Sequence, residues 1–290
     1  MTTPKSLAVL GIISVLSATM YGCGKQEEAK KEEAPAAKKA PTTGYDGSWS
    51  GAGGTISGVV TVTGAKPDAK VTSLPITKDE KVCGKGTKSS ERFISGAGDG
   101  LANTIVWLDD IHQGVAMSWP ESVTIDQKDC HYAPHIQLAK VGATLVVAND
   151  DPILHNIHGY KGLTKTDTKF NIATPTKGMK VANDQTKLDE KGMVSFVCDA
   201  GHSWMNAYIQ VAEHPYYALT DKDGKFSLGN VPPGTYKIKY WHENWASTKV
   251  DKDAKGSPTG YTWADPYEGE ASVTVAAGAA ASTNFAIAAK

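Results

Sequence analysis

Apolar and polar residues alternate with a period of two along much of the chain after residue 53. This alternation is typical of strands that bury one face and expose the other. The short runs that carry it are rich in β-branched and aromatic residues: Val60 and Val62, Ile105 and Trp107, Leu145 and Val147, Phe226 and Leu228, Tyr236 to Tyr240, and Val273 and Val275. Turn-forming sequences separate them, as at Asp223-Gly224 and Pro232-Pro233-Gly234. The pattern predicts an all-β protein built from sandwiches or barrels.

Composition excludes some classes of function. The 290 residues carry 30 Lys and Arg against 31 Asp and Glu, which gives a formal net charge of −1. This near-balance argues against a nucleic-acid partner, because such proteins need a broad basic surface to neutralise phosphates. The four cysteines are too few for a disulfide-rich scaffold, so each needs its own explanation.

The first 22 residues predict a signal peptide. A short basic start is followed by 15 nearly all-apolar residues, 6–20, whereas a membrane-spanning helix needs about 20. The run ends at Gly22-Cys23, which resembles a bacterial lipoprotein cleavage site. That resemblance implies export and a lipid anchor on Cys23, with ordinary secretion and a free thiol as the alternative. Gly24 is not the Asp that often retains lipoproteins at the inner membrane, so the outer membrane is favoured, at its periplasmic face or at the cell surface.

Residues 23–53 predict a flexible linker between this anchor and the folded body. Residues 25–40 contain five Lys and four Glu among Ala and Pro, with no aromatic or β-branched residue. Such a segment cannot bury enough apolar surface to offset the entropy of ordering it. The folded body is therefore expected to begin near Gly54.

Three side chains with soft or borderline donor atoms lie within eight residues, between two predicted strands: Cys198, His202 and Met205. A tight loop holds such atoms with little freedom. Thiolate, imidazole and thioether together select copper over hard cations and over zinc. A fourth donor, His155, follows another strand-like run and a polar turn. Two neighbouring strands can bring it to the same end of a sandwich, so the sequence predicts one copper site with these four ligands.

The same region resembles a plastocyanin-type cupredoxin. The motifs that carry the resemblance are Tyr132-Ala133-Pro134, Val141-Gly142, Asn149-Asp150-Asp151 and His155-Asn156. The resemblance spans residues 122–213 and implies a Greek-key cupredoxin domain with one copper that cycles between Cu(I) and Cu(II). It implies electron transfer, not catalysis, with periplasmic or surface redox proteins such as cytochromes as partners.

The sequence leaves other functions open. The same ligands could serve a copper-binding or copper-trafficking lipoprotein, which would need an open, exchangeable site. A third hypothesis is an adhesion or carbohydrate-contacting sandwich, but no exposed aromatic platform for such contacts can be assigned from the sequence. An oxidase or nitrite reductase is disfavoured because the sequence has no His-x-His pairs for further copper ligands.

Three residues next to the ligands are candidates for supporting contacts. Asn156 directly follows His155. His158 could admit electrons or be a polar surface residue, and Trp204 could cover the copper or pack in the core. Cys83 and Cys130 remain, and in an exported protein such a pair most simply forms a disulfide, with two buried thiols as the alternative.

The rest of the chain resembles a carboxypeptidase-regulatory-like, transthyretin-type β-sandwich. Residues 214–290 carry its Asp-Gly and Pro-Gly-Thr-Tyr turns, and residues 54–60 resemble its opening strand. Residues 54–121 are therefore expected to form part of this sandwich, with the cupredoxin inserted between its two halves. Trp241-His242-Glu243 is interpreted as structural, because a lone His-Glu pair lacks a third ligand or a nucleophile.

Overall fold

The computed structural model describes residues 44–289. The expected signal peptide, the lipidation site Cys23 and most of the linker lie outside the described residues. Within that part of the chain, no helix is both long and apolar enough to cross a membrane. Its regular structure is almost entirely strand, with two four-residue helices and two short 3-10 turns, Ala97–Asp99 and Asp184–Thr186. The all-β expectation is confirmed.

The elements fall into three stretches of sequence. The first contains β1 (Gly54–Thr63), α1 (Ala69–Thr72), β2 (Ser73–Pro75), α2 (Glu80–Cys83), β3 (Thr87–Ser89) and β4 (Ile105–Asp109). The second contains β5 (Ser122–Lys128), β6 (His131–Ala133), β7 (Ile136–Lys140), β8 (Ala143–Asn149), β9 (His155–Lys161), β10 (Thr168–Thr174), β11 (Met179–Val181), β12 (Lys187–Leu188), β13 (Gly192–Val197) and β14 (Asn206–Ala212). The third contains β15 (Tyr217–Leu219), β16 (Lys225–Val231), β17 (Gly234–His242), β18 (Ser247–Lys252), β19 (Pro258–Trp263), β20 (Tyr267–Val275), β21 (Ala280–Ser282) and β22 (Phe285–Ala288).

The second stretch forms a β-sandwich, called here the inserted sandwich (residues 122–212). One sheet has the order β10-β9-β13-β14-β7, and the other has the order β11-β8-β5-β6 with β12 also paired to β8. Parallel pairing of β14 with β7 and of β5 with β8 shows that the chain crosses between the sheets. The inner faces bury alternate residues such as Leu145, Val147 and Phe196 in one core.

Strands from both ends of the described chain form a second sandwich, called here the split sandwich. One sheet centres on β1, which pairs with β16, β21 and β22, and the other has the order β15-β4-β17-β20. Because β1 and β4 precede residue 122 and the others follow residue 212, the inserted sandwich interrupts the split sandwich in sequence. Val60, Phe226, Ile238 and Val273 share its core.

Three segments depart from the expected domain boundaries. The first belongs to the expected linker, where the N–H groups of Asp46 and Trp49 donate to the carbonyls of His112 and Gly114 at 2.8 and 3.1 Å, so the folded body begins before Gly54. Leu74 and Ile76, from the first stretch, are buried in the core of the inserted sandwich, although residues 54–121 were expected in the split sandwich. The hairpin β18–β19 likewise buries Tyr261 against that core. The sequence pattern carries no information on which sandwich buries these apolar residues.

Replacing Gly224 by alanine is expected to destabilise the fold more than the same change at Gly256. The turns at both glycines have the same pattern, in which an Asp side chain accepts two backbone N–H groups and the glycine has a positive φ, 75° and 84°. An added Cβ at Gly224 would lie 2.2 Å from the carbonyl oxygen of Val60, whereas at Gly256 nothing lies within 4 Å. Each change costs about 1–2 kcal/mol for the left-handed backbone, and only Gly224→Ala adds overpacking of about 1–3 kcal/mol. Chemical denaturation of both variants measures the difference, and equal losses would contradict the steric argument.

Candidate metal centre

Strand pairing brings the predicted ligands to one end of the inserted sandwich. His155 is the first residue of β9, which pairs with β13, and Cys198 directly follows β13. His202 and Met205 lie in the loop between β13 and β14, where the Met205 N–H donates to the carbonyl of His202 at 2.9 Å. The two predicted strands around this loop are present, so its ends are fixed by the sheet.

Three of the four predicted ligands present their donor atoms to a common point. The Nδ1 atoms of His155 and His202 are 3.2 Å apart, and the sulfur of Cys198 is 3.5 Å from Nδ1 of His202. Ligand atoms of all three residues lie within 4.8 Å of one another. Both imidazoles are fully buried, Cys198 is 6% exposed, and Met205 is buried in the same core cluster.

A carboxylate holds the far nitrogen of each imidazole. Nε2 of His155 is 2.8 Å from Oδ2 of Asp151, and Nε2 of His202 is 2.9 Å from Oδ2 of Asp79. A carboxylate accepts hydrogen bonds, so each neutral ring carries its proton on Nε2 and leaves a lone pair on Nδ1. Two lone pairs therefore face each other at 3.2 Å, an arrangement that a cation between them would stabilise.

Burial keeps both imidazoles neutral at neutral pH, which is the state a metal ligand needs. Burial is the main cause that lowers the pKa of His155, although Asp151 partly opposes it. For His202, burial and then the neighbouring His155 lower the pKa to about 4. Burial also raises the pKa of the Cys198 thiol. A bound cation reverses that effect, because a coordinating thiol loses its proton.

Backbone amides favour ionisation of the Cys198 thiol. The backbone N–H groups of Asn156, Ala200 and His202 lower the pKa of this thiol and so oppose the effect of burial. The side chain of Asn156 accepts a hydrogen bond from the N–H of Asp199 at 3.1 Å, which joins β9 to the ligand loop. Asn156 therefore supports the cysteine through both its backbone and its side chain.

The other two residues named from the sequence lie outside the donor set. His158 points away from the core: its Nδ1 is 2.6 Å from Asp199, its Nε2 is 2.8 Å from Thr168, and its ring stacks on Tyr160. Trp204 is buried, packs edge-on against His202 at 5.3 Å between ring centroids, and donates to the carbonyl of Cys130. Trp204 therefore both covers an imidazole and belongs to the core.

The predicted disulfide between Cys83 and Cys130 is present. A second group of potential donors, Cys130, Asp151 and His155, also lies within 4.8 Å. It shares His155 with the first group, and the sulfur of Cys130 is already bonded to Cys83. These two groups therefore do not provide two separate metal sites.

The sequence pattern did not predict a role for either carboxylate. Asp151 is part of the polar turn before His155 and was interpreted only as a turn residue, although its spacing of four residues from His155 could have suggested a contact. Asp79 is 123 residues from His202 in a polar segment, and no local pattern marks it. Only the packing of the first stretch against the ligand loop brings it there.

Comparison with known proteins gives structural likeness alone. No family model matches the chain, and no curated protein matches it. A proline-to-phenylalanine mutant of amicyanin in the reduced state matches with 20% identity and a TM-score of 0.27, over 31% of this chain and 82% of that one. A copper-containing nitrite reductase from Thermus scotoductus matches with 19% identity and a TM-score of 0.27, over 36% of this chain and 26% of that one.

Proposed function

We propose that this protein is an electron-transfer protein with one copper, which Nδ1 of His155, Nδ1 of His202, the thiolate of Cys198 and the thioether of Met205 would hold. The observation that carries the proposal is the pair of buried Nδ1 lone pairs that face each other beside the cysteine sulfur. Two imidazoles, a thiolate and a thioether are the donor set of a blue-copper site. When bound, copper would supply a one-electron couple between Cu(I) and Cu(II).

Hydrogen bonds within the protein would orient these donor atoms before the metal binds. Asp151 holds Nε2 of His155 and is itself held by the N–H groups of Asp129 and Cys130, at 2.9 and 2.8 Å. The backbone amides of Asn156, Ala200 and His202 stabilise the charge of the Cys198 thiolate. Because the ligands lie at the ends of paired strands, they can keep one geometry through a change of charge.

Burial favours electron transfer over copper trafficking. A trafficking protein must release its metal to another protein, and this requires ligands that a partner can reach. Both imidazoles here are fully buried and Cys198 is 6% exposed. A closed set of this kind retains its metal and passes only electrons.

The remaining parts of the proposal rest on the sequence. We propose that the protein has no catalytic activity of its own and exchanges electrons with exported redox proteins such as cytochromes. The apolar segment and Cys23 favour an anchored lipoprotein, with the outer membrane preferred over the inner one.

Copper titration of the purified full chain tests the proposal. One equivalent of Cu(II) is expected to produce an intense visible band from thiolate-to-copper charge transfer, together with a matching EPR signal. Cys198→Ser is expected to abolish the band because it removes the thiolate. A Cys198→Ser protein that stays coloured would remove Cys198 from the site.

Two histidines on one strand provide a matched control. His155→Asn is expected to lose the band, whereas His158→Asn, three residues along β9 and outside the donor set, is expected to keep it. Reversible reduction with slow Cu(I) release to a chelator supports electron transfer. Release of Cu(I) faster than electron exchange would favour trafficking instead.

A further inference from the structure

A segment from outside the inserted sandwich contacts the imidazole of His202 and the loop that carries it. We call residues 76–84 the cap segment. Ile76 is buried in the core of the inserted sandwich, and Cys83 is bonded to Cys130. Between them, Nζ of Lys78 donates to the carbonyl of Ala200 at 2.5 Å. The cap segment is therefore fixed at both ends and lies against the loop that carries the ligands.

Asp79 is the residue of the cap segment that reaches a ligand. Its Oδ2 accepts the hydrogen bond from Nε2 of His202 at 2.9 Å; the Asp79 side chain is 35% exposed, whereas that of His202 is fully buried. Its backbone has φ 52°, in the left-handed region, and its carbonyl accepts the N–H groups of Val82 and Cys83, each at 2.9 Å. The start of α2 thus keeps Asp79 in an uncommon conformation that aims its carboxylate at the imidazole.

The disulfide links the two segments whose carboxylates orient His155 and His202. On one side, Cys83 donates its N–H to the carbonyl of Asp79. On the other side, Cys130 donates its N–H to Oδ2 of Asp151, the carboxylate that holds His155. A single covalent bond therefore joins the two cysteines whose N–H groups hold Asp79 and Asp151.

We propose that Asp79 is a positioning residue of the metal centre. It fixes His202 with its proton on Nε2 and its lone pair on Nδ1, and it adds a negative charge next to that ring. The charge stabilises the more oxidised metal, and the cap segment slows escape of the metal past His202. This inference rests on the proposed copper function. Asp79 and the cap segment, from the first stretch of the chain, would thus affect both the redox equilibrium of the metal and the rate of its release.

Two variants separate the charge of Asp79 from its hydrogen bond. Asp79→Asn keeps an oxygen that accepts the His202 proton but removes the charge, whereas Asp79→Ala removes both. Glu80→Gln is the matched control, because it removes the same charge from the next, exposed residue of the cap segment. Thermal unfolding of each metal-free protein establishes that the variants are folded.

Removal of the Asp79 charge is expected to change the Cu(II)/Cu(I) equilibrium. In a fixed redox buffer, Asp79→Asn is expected to shift the Cu(II)/Cu(I) ratio about tenfold towards Cu(I), which corresponds to about 59 mV for one electron. Asp79→Ala is expected to shift it at least as far and to weaken metal affinity by about 10–100-fold, with faster Cu(I) release to a chelator. Glu80→Gln is expected to match the unmodified protein, because an exposed charge is screened. Equal ratios in all four proteins would overturn the proposal.

A measurement without metal distinguishes failure of this inference from failure of the proposed function. In ¹⁵N NMR of the metal-free full chain, His202 is expected to carry its proton on Nε2, and Asp79→Ala is expected to give a mixture of tautomers. An unchanged tautomer in Asp79→Ala would overturn the positioning role of Asp79. If the unmodified protein shows no charge-transfer band, the copper function fails, whatever the tautomer measurement gives.

Discussion

Replacing Glu243 by glutamine is expected to lower the free energy of unfolding by about 3–5 kcal/mol. The Glu243 carboxylate lies between two cationic side chains: one oxygen is 2.8 Å from Nη1 of Arg92, and the other accepts a hydrogen bond from Nε2 of His135. All three side chains are at most 3% exposed. Glutamine keeps the shape but leaves two buried cations without their counter-charge, which is the costly case for a buried ion pair.

This cluster joins the two sandwiches. Arg92 donates to the Oδ1 of Asn206 at 3.0 Å and to the hydroxyl of Tyr208 at 2.5 Å, both on β14 of the inserted sandwich. It also donates to the carbonyl of Asn244, which follows β17 of the split sandwich, and its guanidinium lies 3.8 Å from the ring centroid of Trp263. Loss of the Glu243 charge is therefore expected to weaken the contact between the sandwiches.

The effect of Glu243→Gln is expected to depend on pH. Burial opposes ionisation of Glu243, but Arg92 and His135 hold its pKa below the ordinary 4.5. The ionised carboxylate therefore adds to the free energy of unfolding above pH 4.5, and this stabilisation is lost as the pH falls through the lowered pKa. Burial opposes protonation of His135, but Glu243 holds its pKa above the ordinary 6.5. The protonated imidazole therefore adds to the free energy of unfolding below pH 6.5, and this stabilisation is lost as the pH rises through the raised pKa. The stability difference is therefore expected to be largest between these two ordinary values.

Urea denaturation of the two metal-free proteins across this pH range provides the measurement. Glu190→Gln is the matched control, because Glu190 pairs with Lys161 at 2.8 Å but the side chains are 62% and 40% exposed. Exposed pairs contribute little to stability, so this variant is expected to resemble the unmodified protein at every pH. A difference that is small or does not vary with pH would mean that the buried cluster is not ionised as described.

Removing the disulfide is the second change with a large expected effect. Cys83→Ala with Cys130→Ala is expected to lower the free energy of unfolding by about 4 kcal/mol, because the bond closes a loop with a sequence separation of 47. The bond constrains the unfolded chain, and the folded state loses the attachment of the cap segment. Denaturation of the metal-free double variant under oxidising conditions measures the loss.

A reductant provides the control for this experiment. It is expected to bring the unmodified protein close to the stability of the double variant and to leave the double variant unchanged. If the double variant also loses stability in reductant, the effect does not come from the Cys83–Cys130 bond. A loss well below 4 kcal/mol would indicate an unfolded state that is already compact.

Local patterns predicted much of the secondary structure and supplied the candidate donor set. The alternation at Leu145 and Val147 lies in β8, and the turn at Asp223-Gly224 separates β15 from β16. Strand, turn and ligand spacing are local properties, so they can be read from residues close together in sequence. Cys198 and His202 belong to one short loop, and the chemistry of their side chains already pointed to a soft metal.

The long-range contacts could not be predicted in this way. Glu243 was interpreted as structural, which its buried cluster supports, but nothing in the sequence named Arg92 and His135 as its partners. Tyr261 lies in β19, within the third stretch of sequence, yet it packs on the core of the inserted sandwich and not on that of the split one. Burial of an apolar face lowers the free energy wherever a complementary surface exists, so alternation does not specify the surface.

By itself, the sequence determined an all-β protein and a set of side chains with the chemistry to bind a soft metal. The tertiary structure alone decided that Nδ1 of each imidazole faces the other, because the carboxylates that orient the rings come from the turn before β9 and from the cap segment. A lone pair has a direction, and that direction depends on where the ring's other nitrogen donates its proton. Asp79 is 123 residues from His202 in the chain, so only folding could establish that contact.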